Sequence, residues 1–108
     1  MLVRSISQPG KGWFAGPWDS PVPIAVGYSD RAVDELHVHR QTYEIYVVAR
    51  GTSIAVVDGV ETRLRTGDML VVEPGERHAM RDSSADYLHF VVQAPFVVGD
   101  KTDVVDSE

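Results

Sequence analysis

The chain has no cysteine. Disulfides, thiol nucleophiles and thiolate metal sites are excluded together, so any metal must be held by nitrogen and oxygen. Long apolar runs are missing too. No stretch approaches the ~20 apolar residues that a membrane helix needs, and the opening MLVRSISQPG lacks a signal-like apolar region. These absences lead to the expectation of a cytoplasmic protein with no membrane partner. Basic stripes are also lacking. The net charge is −6, and half of it lies in DKTDVVDSE, where four acids face one lysine. An acidic chain without a basic patch is a poor nucleic-acid binder, so no nucleic-acid partner is expected. Helical periodicity is almost absent.

What is present is a β pattern. Short β-branched or aromatic runs break at Gly, Pro or Asp. Strands are expected at Leu2–Ser7, Pro23–Tyr28, Glu35–His39, Tyr43–Ala49, Thr52–Val57, Val60–Arg65, Met69–Val72, His78–Arg81 and Asp86–Gln93, with a short one at Phe96–Val98. Asp58-Gly59, between SIAVV and VETRL, signals a type I′ hairpin. Further turns are expected at 65–68 and 73–76. Some eight short strands in 108 residues predict one all-β domain, a sandwich, jelly roll or barrel. The domain is expected over residues 1–98, with 99–108 as an acidic, flexible tail. Residues 9–23, PGKGWFAGPWDSPVP, are too rich in Pro and Gly for a regular ladder. They are expected to form an arm packed on the outside, or a lid or dimer contact anchored by Trp13, Phe14 and Trp18.

Chemistry concentrates in four histidines. His37 and His39 lie two apart in a strand-like run, so both rings project from one face, with Cα atoms ~6.5 Å apart. Two imidazoles so placed can share one ion. Glu44 follows after room for a tight turn. His78 comes behind Pro74-Gly75 at the start of another strand. Each is expected to reach the same point. Strand parity puts Tyr46 and Val48 on the Glu44 face and Met80 on the His78 face. Tyr87, His89, Val91 and Gln93 alternate with Leu88, Phe90 and Val92, and the latter set reads as a good core face. If the former faces the pocket, His89 is a candidate general base or support for a ligand. Tyr46 is the second candidate for a catalytic role. Arg50, Arg77 and Arg81 are candidates to meet an anionic substrate, with surface solvation as the alternative.

The sequence resembles the cupins. HVHRQTYEIYVVARG matches the first cupin motif in full from His37 to Gly51, although nine residues separate Gly27 from His37 where the motif has five. GDMLVVEPGERHAMRD resembles the second motif, with Gly67, Gly75 and His78 in place. There Glu73 stands at the usual proline and Asp82 at the usual asparagine. The resemblance implies a jelly-roll barrel of two antiparallel sheets, with His37, His39, Glu44 and His78 as ligands of one divalent transition metal. Fe, Mn, Ni, Co, Cu and Zn all suit such a donor set. It implies a small-molecule ligand in the barrel and a homodimer. Three functional classes stay open. One is a non-heme metalloenzyme, either an oxygenase or an isomerase or lyase, acting on a small oxygenated or anionic compound. The others are a non-catalytic binding or sensing module, and an accessory protein with a structural metal.

Overall fold

The computed structural model describes residues 1–33 and 35–104. Ten strands form two five-stranded sheets, and the described residues contain no helix. The strands are β1 (Lys11–Ala15), β2 (Ala25–Ser29), β3 (His37–His39), β4 (Tyr43–Arg50), β5 (Thr52–Val57), β6 (Val60–Arg65), β7 (Met69–Val72), β8 (His78–Arg81), β9 (Leu88–Ala94) and β10 (Lys101–Asp103). One sheet runs β1-β2-β9-β4-β7 and the other β10-β3-β8-β5-β6, with every pairing antiparallel. The expected jelly roll of two antiparallel sheets is therefore the observed fold.

Turn chemistry sets the registers. Asp58 and Gly59 take φ of 47° and 83°, the positive pair that a type I′ turn demands, and they close the β5–β6 ladder. At the Glu73–Glu76 turn, Pro74 is followed by Gly75 at φ 88°, the order that a type II turn requires. The Glu76 N–H donates to the Glu73 carbonyl, and the Gly75 N–H donates to the His39 carbonyl at 2.7 Å. The second of these bonds ties the turn that precedes His78 to the strand that carries His39.

The barrel is filled at one end and hollow at the other. Tyr46, Val48, Ala55, Leu64, Val72, Met80 and Tyr87 form the core cluster. Strand β4 buries Glu44, Tyr46 and Val48 on its inner face, so it runs from the polar end into the core, and β8 does the same with His78 and Met80.

Three expectations need correction. The Leu2–Ser7 and Phe96–Val98 segments form no strand. The first is exposed throughout, and its Arg4 guanidinium instead binds the Asp19 carboxylate and the Phe14 carbonyl. The Gly/Pro-rich arm does contain a ladder strand, β1. Gly12 and Gly27 make that pairing possible, because a Cβ at Gly12 would meet the Tyr28 hydroxyl, and one at Gly27 would meet the Gly12 carbonyl and the Trp13 ring. On the outer side Phe14 packs on Tyr28 and Phe90. In β9 the set with His89, Val91 and Gln93 faces the cavity, the arrangement on which the candidacy of His89 depends. Tyr87 and His89 are buried inward, while Phe90 packs under the arm.

The acidic tail is also more structured than expected. Lys101–Asp103 pairs with β3, and Asp100 is buried; residues 105–108 lie outside the described part. The Asp100 carboxylate accepts from the backbone N–H groups of Gln41 and Thr42. Burial alone would raise its pKa, but these donors hold it below the ordinary value. Replacing Asp100 with Ala leaves both amides without their acceptor. The expected loss is about 1–3 kcal/mol of stability, read from the urea midpoint; an unchanged midpoint would refute the role.

Candidate metal centre

The site joins the two sheets. In β3, His37 and His39 point inward, and His37 pairs in register with His78 of β8. All three histidines thus belong to one sheet, and Glu44 reaches them from β4 of the other. One donor atom from each residue lies within 4.8 Å of every other, and all four residues are buried. The Glu44 Oε1 is 2.8 Å from His78 Nε2, 3.2 Å from His39 Nε2 and 3.5 Å from His37 Nε2.

The outer ring nitrogens define the chemistry of the inner ones. His37 Nδ1 lies 2.8 Å from the Glu35 carbonyl, and His78 Nδ1 lies 3.0 Å from the Glu76 carbonyl. A carbonyl only accepts, so both Nδ1 atoms donate there, and both Nε2 atoms face Glu44, where each can give a lone pair to a bound ion. Among the described residues His39 has no hydrogen-bond partner at either nitrogen although it is buried; its Nδ1 stands 3.8 Å from the Asp100 carboxylate. Three imidazoles gathered on a buried carboxylate at such range call for a positive charge among them, supplied by ring protons or by a bound cation. A divalent ion bonded at ~2.1 Å separates neighbouring donors by roughly 3 Å, and the three Glu44–histidine distances are near that value. The residues therefore fit a metal, and the nitrogen and oxygen donor set suits a transition ion.

Further groups hold the carboxylate. Tyr46 donates its hydroxyl to Glu44 Oε1 at 2.9 Å, and Gln93 Nε2 donates to Oε2 at 2.9 Å. Burial would by itself raise the Glu44 pKa, but His37, His39, His78 and Gln93 outweigh it and keep the group ionised well below the usual range. Burial, reinforced by the Glu44 charge, pushes the Tyr46 phenol well above its ordinary value. Tyr46 is thus a neutral donor fixed on Glu44.

The cluster opens on a cavity of about 330 Å³, whose wall includes His37, His39, Glu44, Tyr46, His89 and Gln93. His89 lies against Tyr46, with ring centroids 5.1 Å apart, and its Nδ1 is 2.7 Å from the Tyr87 hydroxyl. Met80 and Val48 lie in the core cluster, beyond the cavity wall. Arg50, Arg77 and Arg81 stand apart from the cavity. Arg50 binds the Asp86 carbonyl, Arg81 pairs with Glu61, and Arg77 is exposed. The Gln93 and Asp100 contacts were not foreseen. Gln93 was signalled only by its parity with His89, and Asp100 was hidden in a charge run.

Burial lowers the His89 pKa to about 4, partly opposed by the Glu44 charge. Between its ordinary 6.5 and about 4 the unfolded chain binds a proton here that the folded chain does not. Stability is therefore full above this window and falls as the pH drops through it, by up to about 3 kcal/mol. His89→Gln is expected to flatten that part of the stability–pH curve. An imidazole NMR midpoint near 6.5 for His89 would contradict the assignment.

Comparison with known proteins agrees with this geometry. The Streptomyces nucleoside dehydratase Pac13 has a similar structure, with 15% identity over 96% of this chain and 91% of that one, at a TM-score of 0.75. KdgF from Halomonas sp. is 21% identical over 90% of this chain and 89% of its own, at 0.69. A cupin protein from Bacteroides fragilis is 21% identical over 91% and 85%, at 0.70. At these identities the likeness concerns the fold. The family described as "Cupin domain" matches residues 27–93, from Gly27 through both histidine motifs to Gln93, and this chain belongs to the cupin family.

Proposed function

We propose that this cupin is a metal-dependent enzyme that converts a small oxygenated or anionic compound as a lyase or isomerase, with oxygenase chemistry as the competing branch. The observation that carries this reading is the position of His37, His39 and Glu44 on the wall of the 330 Å³ cavity. A purely structural ion needs a closed shell, whereas a catalytic one needs an open position beside a chamber. When bound by three neutral imidazoles and one carboxylate, a divalent ion keeps positive charge with which to polarise a substrate oxygen or activate a water.

The protein's own groups do the rest. Tyr46 and Gln93 fix both oxygens of Glu44, so the carboxylate cannot swing toward a substrate. Neutral His89 presents a hydrogen-bonding ring on the same wall. Its low pKa makes it a weak base at neutral pH, suited to orienting a substrate or to receiving a proton as the reaction acidifies one. Tyr87 holds that ring in place from behind. The lyase branch is supported by the likeness to the nucleoside dehydratase Pac13, a variant of which is seen with uridine.

Metal content tests the site. Wild-type protein purified without chelator and supplied in turn with Fe, Mn, Ni and Zn is expected to hold about one ion per chain. His37→Ala and His78→Ala are expected to lose most of it, and Gln93→Leu to weaken affinity by about 10–100-fold. Equal metal in wild type and the histidine variants would overturn the assignment. Oxygen uptake with oxygenated substrates separates the branches, since a lyase or isomerase consumes none.

We also propose a homodimer. The outer face of β4 and of the edge strand β7 exposes Tyr43, Val47, Met69 and Val71, an apolar strip on an unpaired edge. The mass in solution is expected at twice the 11.9 kDa chain; a single-chain mass refutes it.

A further inference from the structure

The chain has only two lysines, Lys11 and Lys101; its other eight cationic residues are arginines. Both lysines line the cavity that holds the His/Glu cluster, and they come from opposite sheets. Register shows how. Lys11 pairs with Ser29, Ser29 with His89 and His89 with Val48. One row below, Trp13 pairs with Gly27, Gly27 with Val91 and Val91 with Tyr46. Directly paired residues share a face, so Lys11 and Trp13 project from the same inner face as His89 and Tyr46. In the other sheet Lys101 pairs directly with His39, which puts it on the face of the metal-ligating histidines. Both lysines are solvent-exposed, and among the described residues neither enters an ion pair.

Trp13 is held differently. Its ring lies over Gly27, where any Cβ would collide with it, and Trp18 meets it edge-on at 5.7 Å. Trp18 is backed in turn by Phe96 at 5.0 Å. Despite this support, Trp13 is 47% exposed, and it borders the cavity. A braced, half-open indole next to two cations is a flat surface with a charge on either side.

We infer that Lys11, Lys101 and Trp13 form the recognition rim of the cavity, and that they select a small planar organic anion whose carboxylate or phosphate meets the lysines while its oxygens face the His/Glu cluster. The negative body of the protein would repel such an anion elsewhere, so the lysine pair supplies the local attraction at the mouth. Ring stacking on Trp13 adds affinity that does not depend on charge. This rests on the cavity being the substrate site proposed above, but not on the metal itself.

Two probes separate these contributions: 3,4-dihydroxybenzoate, and catechol, which is the same diol without the carboxylate. Binding is measured by calorimetry on the Zn-loaded protein and again after chelator treatment. Wild type is expected to prefer the carboxylate compound by about tenfold in both states, a factor equivalent to about 1.4 kcal/mol. Lys11→Met with Lys101→Met should bring that ratio to about one and leave catechol affinity unchanged, because each lysine supplies only the charge contact. Trp13→Leu should weaken both compounds by a similar factor, and Trp13→Phe should restore most of the loss if stacking is the cause. A ratio unaffected by the lysine substitutions overturns the inference, as does equal binding of the two probes by wild type or no binding of either. Catechol binding that is the same with and without Zn, with the lysine-dependent ratio intact, counts against the metal reading alone and supports the rim.

Discussion

Three imidazoles and a carboxylate offer donor atoms packed within 4.8 Å of one another, and the rest of the protein is arranged to hold them there. Such a cluster is self-repelling unless a proton or a cation sits among its members. The fold opposes that repulsion with fixed geometry. Backbone carbonyls of Glu35 and Glu76 take the outer protons of His37 and His78. The His37–His78 register fixes two rings side by side, and the Gly75–His39 backbone bond anchors the third strand segment. Tyr46 and Gln93 hold Glu44 from the opposite sheet.

The parts of the site that were legible in the sequence are those that obey short-range rules. A two-residue period places His37 and His39 on one face, and Asp58-Gly59 and Pro74-Gly75 specify their turns by their φ preferences. The same parity connects Glu44 with Tyr46. What escaped the sequence depends on partners far along the chain. Strand β10 is three polar residues, KTD, with no apolar alternation; it exists because β3 offers backbone groups to pair with. Asp100 looks like one more solvated acid until the Gln41 and Thr42 amides close around it. Strand β1 was hidden by its glycines, which break ladders when a strand stands alone but here make room for Tyr28 and Trp13. In β9 both faces are apolar enough to be core, and only the arm packed on Phe90 decides which one faces out.

The division of labour between the sheets also gives the site its chemical character. One sheet contributes neutral nitrogen donors, and the other contributes the anionic oxygen and the groups that tune it. The cavity wall beyond them combines the neutral His89 ring with polar contacts from Gln93, so a ligand would meet charge at the cluster and at the lysine rim, and little charge between. A molecule polar at both ends and flat in the middle matches that profile better than a uniformly hydrophilic one.

Because the histidines and the glutamate stand on different sheets, an ion shared by them would act as a clasp across the barrel. How closely Glu44 approaches the histidines depends on how far apart the two sheets are held, and the side chains stacked beneath, such as Val48, Leu64, Val72 and Met80, set that distance. An ion bound by all four residues would prefer the folded chain to the unfolded one and would stabilise the whole sandwich accordingly.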